Sequence, residues 1–193
     1  AHLVPFLPTH LNLATYNEKL GAVSAAPFGS AQILTISYAY IKMLGGEGLR
    51  EATKMAILNA NYLKDRLKDY YPILYTGNNG HVAHEMILDI NGINKATGVA
   101  AIDIAKRLMD YGFHAPTVAF PVHETLMVEP TESEPLAELD RFVDAMIKIR
   151  QEIADIESGK AEKGNNLISH APYTAEMLMS DNWEFPFTRQ EAG

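Results

Sequence analysis

The sequence contains no cysteine, which removes disulfides, thiolate metal sites and cysteine nucleophiles together. Basic charge is also short: 16 Lys and Arg stand against 24 Asp and Glu, a net charge of -8. A nucleic-acid binder needs a clustered basic face to neutralise phosphates, and an anionic lipid surface repels a chain this acidic. Nucleic acid and membrane are therefore set aside as partners. No run approaches the roughly 20 apolar residues of a bilayer span. The opening segment AHLVPFLPTH has two prolines and no basic region ahead of an apolar one, so it is not a secretory signal. It lacks an initiator Met and reads as the continuation of something longer. Missing too are G-x-S-x-G, G-x-G-x-x-G, G-x-x-x-x-G-K-[ST] and H-E-x-x-H, which leaves a hydrolase elbow, a nucleotide loop and a zinc-protease helix without support. There is no internal repeat and no low-complexity segment.

What is present suits a soluble globular protein: 193 residues, 47% hydrophobic and 21% charged, enough for one ordinary domain or a small domain with an extension. Residues 1 to 23 hold no period. From Gly29 the apolar residues Ala31, Ile33, Leu34, Ile36, Tyr38, Ala39 and Ile41 run nearly all round a helix, which predicts burial on most faces. Gly45-Gly46 stops it. A second helix is expected from Glu47 to Tyr70, ended by Pro72, with Leu49, Ala52, Ala56, Ile57, Ala60, Leu63 and Leu67 at helical spacing. The rhythm then changes. Strands are expected at Ile73–Tyr75, His84–Ile90, Thr117–Phe120 and Thr125–Val128, with turns at Gly77–Gly80 and Asn91-Gly92. Helices are expected at Val99–Tyr111, closed by Gly112, and at Pro135–Ile156. Thr131–Glu134 (TESE) matches a capping box, with Pro135 suited to the first turn. The fold class is thus α/β (α+β): two helices, then a β-α-β-β-α sandwich with its helices on one face of a mostly antiparallel sheet. Residues 73-160 are the small α/β domain and 161-193 an irregular tail whose Trp183, Phe185 and Phe187 should pack on that domain.

Few residues carry chemistry on their own. His81 and His84 lie three apart at a turn-to-strand junction, a spacing better suited to structural histidines than to a metal. His114-Ala115-Pro116-Thr117 leads from a helix end into a strand, and His170-Ala171-Pro172 repeats its first half. Proline there sets an extended backbone, so the segment is either plain structure or the lining of a cleft. The acidic run Glu129–Glu134 is explained by its place at a helix N-terminus. In SAAPFGSAQ, residues 24 to 32, Pro27 and Gly29 form a turn and Ser30 can cap the helix. The same free N–H groups favour an anion, and the residues alone leave the two roles open.

Longer strings carry a resemblance. GAVSAAPFGSAQILTISYAYIKMLGGEGL, DYGFHAPTVAFPV, TLMVEPTESE with LDRF downstream, HLVPFLPTH near the start and HAPYTAEML followed by W-x-x-P near the end resemble the C-terminal part of the glycine dehydrogenase (decarboxylating) family, the P-proteins of the glycine cleavage system. The resemblance runs through nearly the whole chain. It implies the C-terminal small domain of a fold type I pyridoxal phosphate enzyme, with residues 1-72 as the segment and two connecting helices from a large domain. That enzyme decarboxylates glycine and transfers the aminomethyl group to the lipoyl arm of the H-protein. It further implies that the cofactor's lysine follows a histidine upstream. No lysine here follows a histidine, so no catalytic residue is assigned, and the chain should be inactive without an N-terminal lysine-bearing part. The implied partners are that part, a second P-protein subunit and lipoylated H-protein. By resemblance, Ser24, Phe28, Gly29 and Ser30 face the cofactor phosphate of a neighbouring subunit, while His114 and Thr117 face the substrate cleft. Arg107, expected to face solvent, is a poor carboxylate ligand. Many members carry a small Ala-Gly or Pro-Gly pair where this chain has His123-Glu124, whose bulk should alter access if that loop lines the cleft. The implied compartment is the bacterial cytoplasm, or the mitochondrial matrix in a eukaryote. Two rivals stay open: another fold type I enzyme such as an aminotransferase or a cysteine desulfurase (the latter needing the cysteine this chain lacks), and a stand-alone metabolite-binding or interaction module.

Overall fold

The computed structural model describes residues 31–193. The chain divides into two compact units at Glu51 and Ala52. A short 3-10 turn at Ala31–Ile33 leads into α1, Leu34–Leu67, broken at Gly45. Gly45 adopts φ 62 and ψ -177, a backbone region closed to residues with a Cβ, so the expected Gly-Gly stop is a sharp break between two helical halves. The first half departs from expectation in its burial. Ile33, Leu34, Ile36, Tyr38, Ile41 and Met43 are all exposed, Met43 to 84%. An apolar circumference predicts burial only when something is present to cover it, and no cover exists among the described residues.

The second unit, from Ala52, holds the core. The second half of α1 turns Asn59, Ala60, Leu63, Lys64 and Leu67 inward, the i, i+4, i+8 stripe of an amphipathic helix. The next elements are β1 (Met86–Asp89), α2 (Asn91–Thr97), α3 (Ala101–Asp110), β2 (Thr117–Val118), β3 (Thr125–Val128) and α4 (Leu136–Glu157). The sheet order is β1-β3-β2, and both pairs are antiparallel, with Met86 opposite Val128 and Thr117 opposite Met127. The mixed α+β class and antiparallel sheet expected from the sequence are therefore present. β1 and β2 run parallel on either side of β3, a split β-α-β crossover through α2 and α3. Leu88, Leu126, Ile104, Leu108, Met146, Ile149 and Ile153 form the fully buried centre. Tyr71 is buried with them and donates its hydroxyl to the Met146 carbonyl at 2.9 Å.

Local chemistry alters several expected boundaries. Asn91-Gly92 starts α2 rather than a turn, because the Asp89 carboxylate accepts the Asn91 backbone N–H at 2.9 Å and caps the helix start. Ile73–Tyr75 is reduced to one bridge, Ile73 to Leu88. The strand at Thr117 ends at Val118: Ala119 still donates its N–H to the Thr125 carbonyl at 2.9 Å, but it takes φ 57 and turns the chain after it. TESE is not a capping box. The N-cap of α4 is Pro135, with no side-chain cap, and the Thr131 hydroxyl pairs instead with Ser133. The reason is long-range: buried Asn59 donates to the carbonyls of Thr131 (2.9 Å) and Glu134 (3.4 Å), folding this run into a turn ahead of the helix.

Beyond Gly159, two short helices, α5 (Ala175–Met179) and α6 (Arg189–Ala192), enclose a second apolar cluster of Tyr173, Leu167, Leu178, Trp183 and Phe187. Phe185 stacks on Phe187 at 5.3 Å and meets Trp183 edge-on at 4.8 Å.

Arg107 joins this tail to the domain, and it is buried, not solvent-facing. It is 2% exposed. Its guanidinium pairs with Glu152 at 2.9 Å and Asp110 at 3.1 Å, and donates to the tail carbonyls of Ala192 (2.7 Å) and Glu191 (2.8 Å). Asp110 in turn accepts the Tyr173 backbone N–H at 2.7 Å.

Candidate functional site

A cleft of about 420 Å³ opens beside β2 and β3, against the start of α4. Its deep surface is apolar: Leu63 from α1, Leu139 and Phe142 from α4, and Phe113 from the α3–β2 connection. Phe113 meets Phe142 edge-on at 5.3 Å and 85°, a favourable aromatic geometry. The exposed lining carries the polar groups: His114, Thr117, Glu129 and Glu134.

Each wall is shaped by a distant residue. Gly112 has φ 76, the left-handed conformation that closes α3, and the next residues turn into the cleft. The Gly112 and Phe113 N–H groups donate to the Met109 and Leu108 carbonyls, at 2.9 and 3.0 Å. Arg141 on α4 donates to the Tyr111 carbonyl at 2.7 Å and lies 3.7 Å above the Phe113 ring. The opposite wall, 129–134, is held by Asn59. Glu138 also lines the cleft but is committed to Arg141 through two hydrogen bonds, 2.6 and 2.9 Å. The Arg141 guanidinium holds that carboxyl below the usual carboxylate range, so Glu138 is an ionised anchor rather than a proton donor.

His114 and Thr117 thus lie on one wall of one cleft. Ser24, Phe28, Gly29 and Ser30, the residues expected at a phosphate, lie outside the described residues. The cleft itself does not fit a phosphate: Glu129, Glu134 and Glu138 give it the wrong charge, and Arg141 is already engaged. Arg107 is consumed by its own network and offers nothing to a ligand. Among the described residues no three His, Asp or Glu side chains gather to hold a metal. His81 contacts Asn61 at 3.3 Å, and His84 lies 3.7 and 3.8 Å from Glu85 and Glu129. Among the described residues no helix is long and apolar enough to cross a membrane.

The His123-Glu124 pair does not line this cleft. Glu124 accepts the backbone N–H of Ala101 at 2.8 Å, capping α3, while its own carbonyl accepts from Ile90 at 3.0 Å. It does so at φ 54, a left-handed position that costs a non-glycine residue about 1 kcal/mol. A glycine at this position is explained by that geometry. The sequence offered no sign of the long-range partners Asn59 and Arg141. Only the string LDRF, residues 139–142, marked the place.

Comparison with known proteins gives one consistent result. Residues 52–173 match the family model "Glycine dehydrogenase, C-terminal domain". The chain is 57% identical over 196 residues to a glycine dehydrogenase (decarboxylating) of Nostoc punctiforme, covering 100% of this chain and 20% of that protein. Proteins of the same description from Deinococcus radiodurans (57% over 190 residues, 98% of this chain and 20% of the relative) and Aliivibrio fischeri (59% over 195 residues, 100% and 20%) give the same picture. The chain spans about one fifth of the length of these relatives.

Proposed function

Because this chain belongs to the glycine dehydrogenase (decarboxylating) family, we propose that it works as the small C-terminal domain of a pyridoxal phosphate enzyme. That enzyme decarboxylates glycine and passes the aminomethyl group to the lipoyl arm of H-protein. The observation that carries this reading is similarity at 57% identity through the whole chain. The described residues do not fit the cofactor's phosphate, so no chemical step is routed through them. Their contribution is the cleft. Its apolar floor of Leu63, Leu139 and Phe142 excludes water, and His114 and Thr117 present an imidazole and a hydroxyl at its edge. Ser24, Phe28, Gly29 and Ser30 are proposed to meet the phosphate of a second P-protein subunit. The lysine-bearing remainder of the enzyme is the proposed partner, and the exposed apolar first half of α1 supports that assembly. The cysteine-free composition suits the reducing bacterial cytoplasm or mitochondrial matrix proposed for it.

The test is a chimera in which this chain replaces the corresponding fifth of the Nostoc punctiforme relative. Glycine–bicarbonate exchange should proceed within about tenfold of the parent rate, a loss of no more than ~1.4 kcal/mol of transition-state stabilisation. His114→Ala in the chimera should lower the exchange further while leaving its thermal midpoint in place. A folded chimera that shows no exchange would refute the reading.

A further inference from the structure

Arg141, beside the cleft, bonds to another segment's backbone as well as to a carboxylate. We infer that it is a positioning residue. It fixes the Tyr111–Phe113 turn and thereby sets where His114 and Thr117 stand in the cleft. This rests on the proposed reading of the cleft as the domain's working face.

Three contacts on one guanidinium carry the argument. One Nη donates to the Tyr111 carbonyl at 2.7 Å, across 30 residues of sequence. The plane lies over the Phe113 ring with its carbon 3.7 Å from the centroid. The other Nη and Nε take both oxygens of Glu138, at 2.6 and 2.9 Å. A carboxylate fork holds the guanidinium in orientation as well as in place. The planar group is thus clamped from α4 and presses on the residues immediately before His114. Phe113 is braced from below by Phe142, edge-on at 5.3 Å. Gly112 is favoured by its φ of 76 rather than by space: a Cβ there would lie 3.7 Å from the nearer Nη, an ordinary contact. Arg141 and Phe142 belong to LDRF and Phe113 and His114 to DYGFHAPTVAFPV, two strings that the sequence left as separate labels. A guanidinium already holding a carboxylate, a carbonyl and a ring face is equipped to fix a wall and is not free to act as a ligand arginine. Lysine is no equivalent, because a point charge can reach one acceptor but cannot fork onto Glu138 while lying flat on Phe113.

The experiment compares the 193-residue chain with Arg141→Ala, Arg141→Lys and Glu138→Gln by NMR, reading amide hydrogen exchange and the His114 ring signal through a pH titration. In R141A, exchange at Gly112 and Phe113 should accelerate about tenfold and the His114 ring resonance should move, while β1 and β3 amides keep their wild-type rates. R141K should restore the Gly112 and Phe113 rates only in part. Should R141A fail to fold, E138Q decides in its place, because it loosens the fork and leaves Tyr111 and Phe113 untouched. An unchanged His114 signal in a folded variant, or uniform acceleration across the sheet, would overturn the assignment. No glycine or cofactor enters these measurements. An inactive chimera leaves this inference standing, and a negative result here leaves the proposed function standing.

Discussion

Replacing Arg107 with Gln tests the central electrostatic claim of the structure. The guanidinium side chain is 3% exposed, and its carboxylate partners Asp110 and Glu152 are 5% and 15% exposed. Burial opposes the Arg107 charge, but the Glu152 carboxylate more than offsets that, and the guanidinium is held above its ordinary value. Removing the cation leaves two shielded carboxylates without a counterion and takes the donors from the carbonyls of Glu191 and Ala192. Breaking a buried pair from one side costs about 3–5 kcal/mol, a large share of the 5–15 kcal/mol typical of a domain. Deleting residues 189–193 removes the two carbonyl acceptors and α6 but keeps the ion pairs and lets water reach the freed donors, so it should cost less than R107Q. The chain's one tryptophan provides a local probe. Trp183 packs in the tail, its indole N–H donating to the Phe187 carbonyl at 2.6 Å. In a urea titration of R107Q, Trp emission should shift to the red at lower urea than the loss of helical ellipticity, whereas the wild type should show coincident transitions. If R107Q costs less than about 1 kcal/mol, the network is screened by solvent and the reasoning fails.

Two further outcomes follow from single contacts. At Glu124, Ala should destabilise by about 1 kcal/mol, because the α3 cap is lost while the left-handed backbone strain stays. Gly relieves that strain and should fall within about 0.5 kcal/mol of wild type; urea midpoints in which Gly costs as much as Ala would show that the strain is not real. Alkaline pH should unfold the chain through its shielded tyrosines. Burial, reinforced by Glu152, pushes the Tyr111 hydroxyl up to about 12, and burial drives Tyr71 and Tyr173 upward too. The unfolded chain releases these protons near pH 10, so their stabilisation is complete below that pH and is lost as pH rises through 12. Phenolate absorbance should then appear in two phases, the second coincident with the loss of ellipticity. A single phase near pH 10 with the fold intact would contradict this.

What the sequence made legible is what short-range periodicity encodes. The stripe from Ala60 to Leu67 places α1's inner face, and Thr125–Val128 is a strand to the residue, because alternation and turn chemistry act within a few residues. What it hid depends on partners far along the chain. Arg107 looked solvent-facing because nothing within a helical turn shows Glu152, 45 residues away, or the tail carbonyls 84 and 85 residues away. TESE looked like a capping box because Asn59, 72 residues upstream of Thr131, is invisible to a local rule. The exposed first half of α1 fails in the opposite sense: its pattern states a need for cover that the described residues do not meet.

The same distinction bears on the site. His114 and Thr117 stand out in the sequence because their segment leads from a helix end into a strand and by the family resemblance, yet neither describes a geometry. Their common wall exists because Gly112 turns the chain at φ 76 and α4 reaches back across 30 residues to hold Tyr111. Asn59 does the same for the facing wall from a helix that precedes the sheet. The cleft is therefore a property of the packed domain and not of either segment, and its two walls can be loosened independently. A substitution at Asn59 should free Glu129 and Glu134 without moving His114, and one at Arg141 should do the reverse.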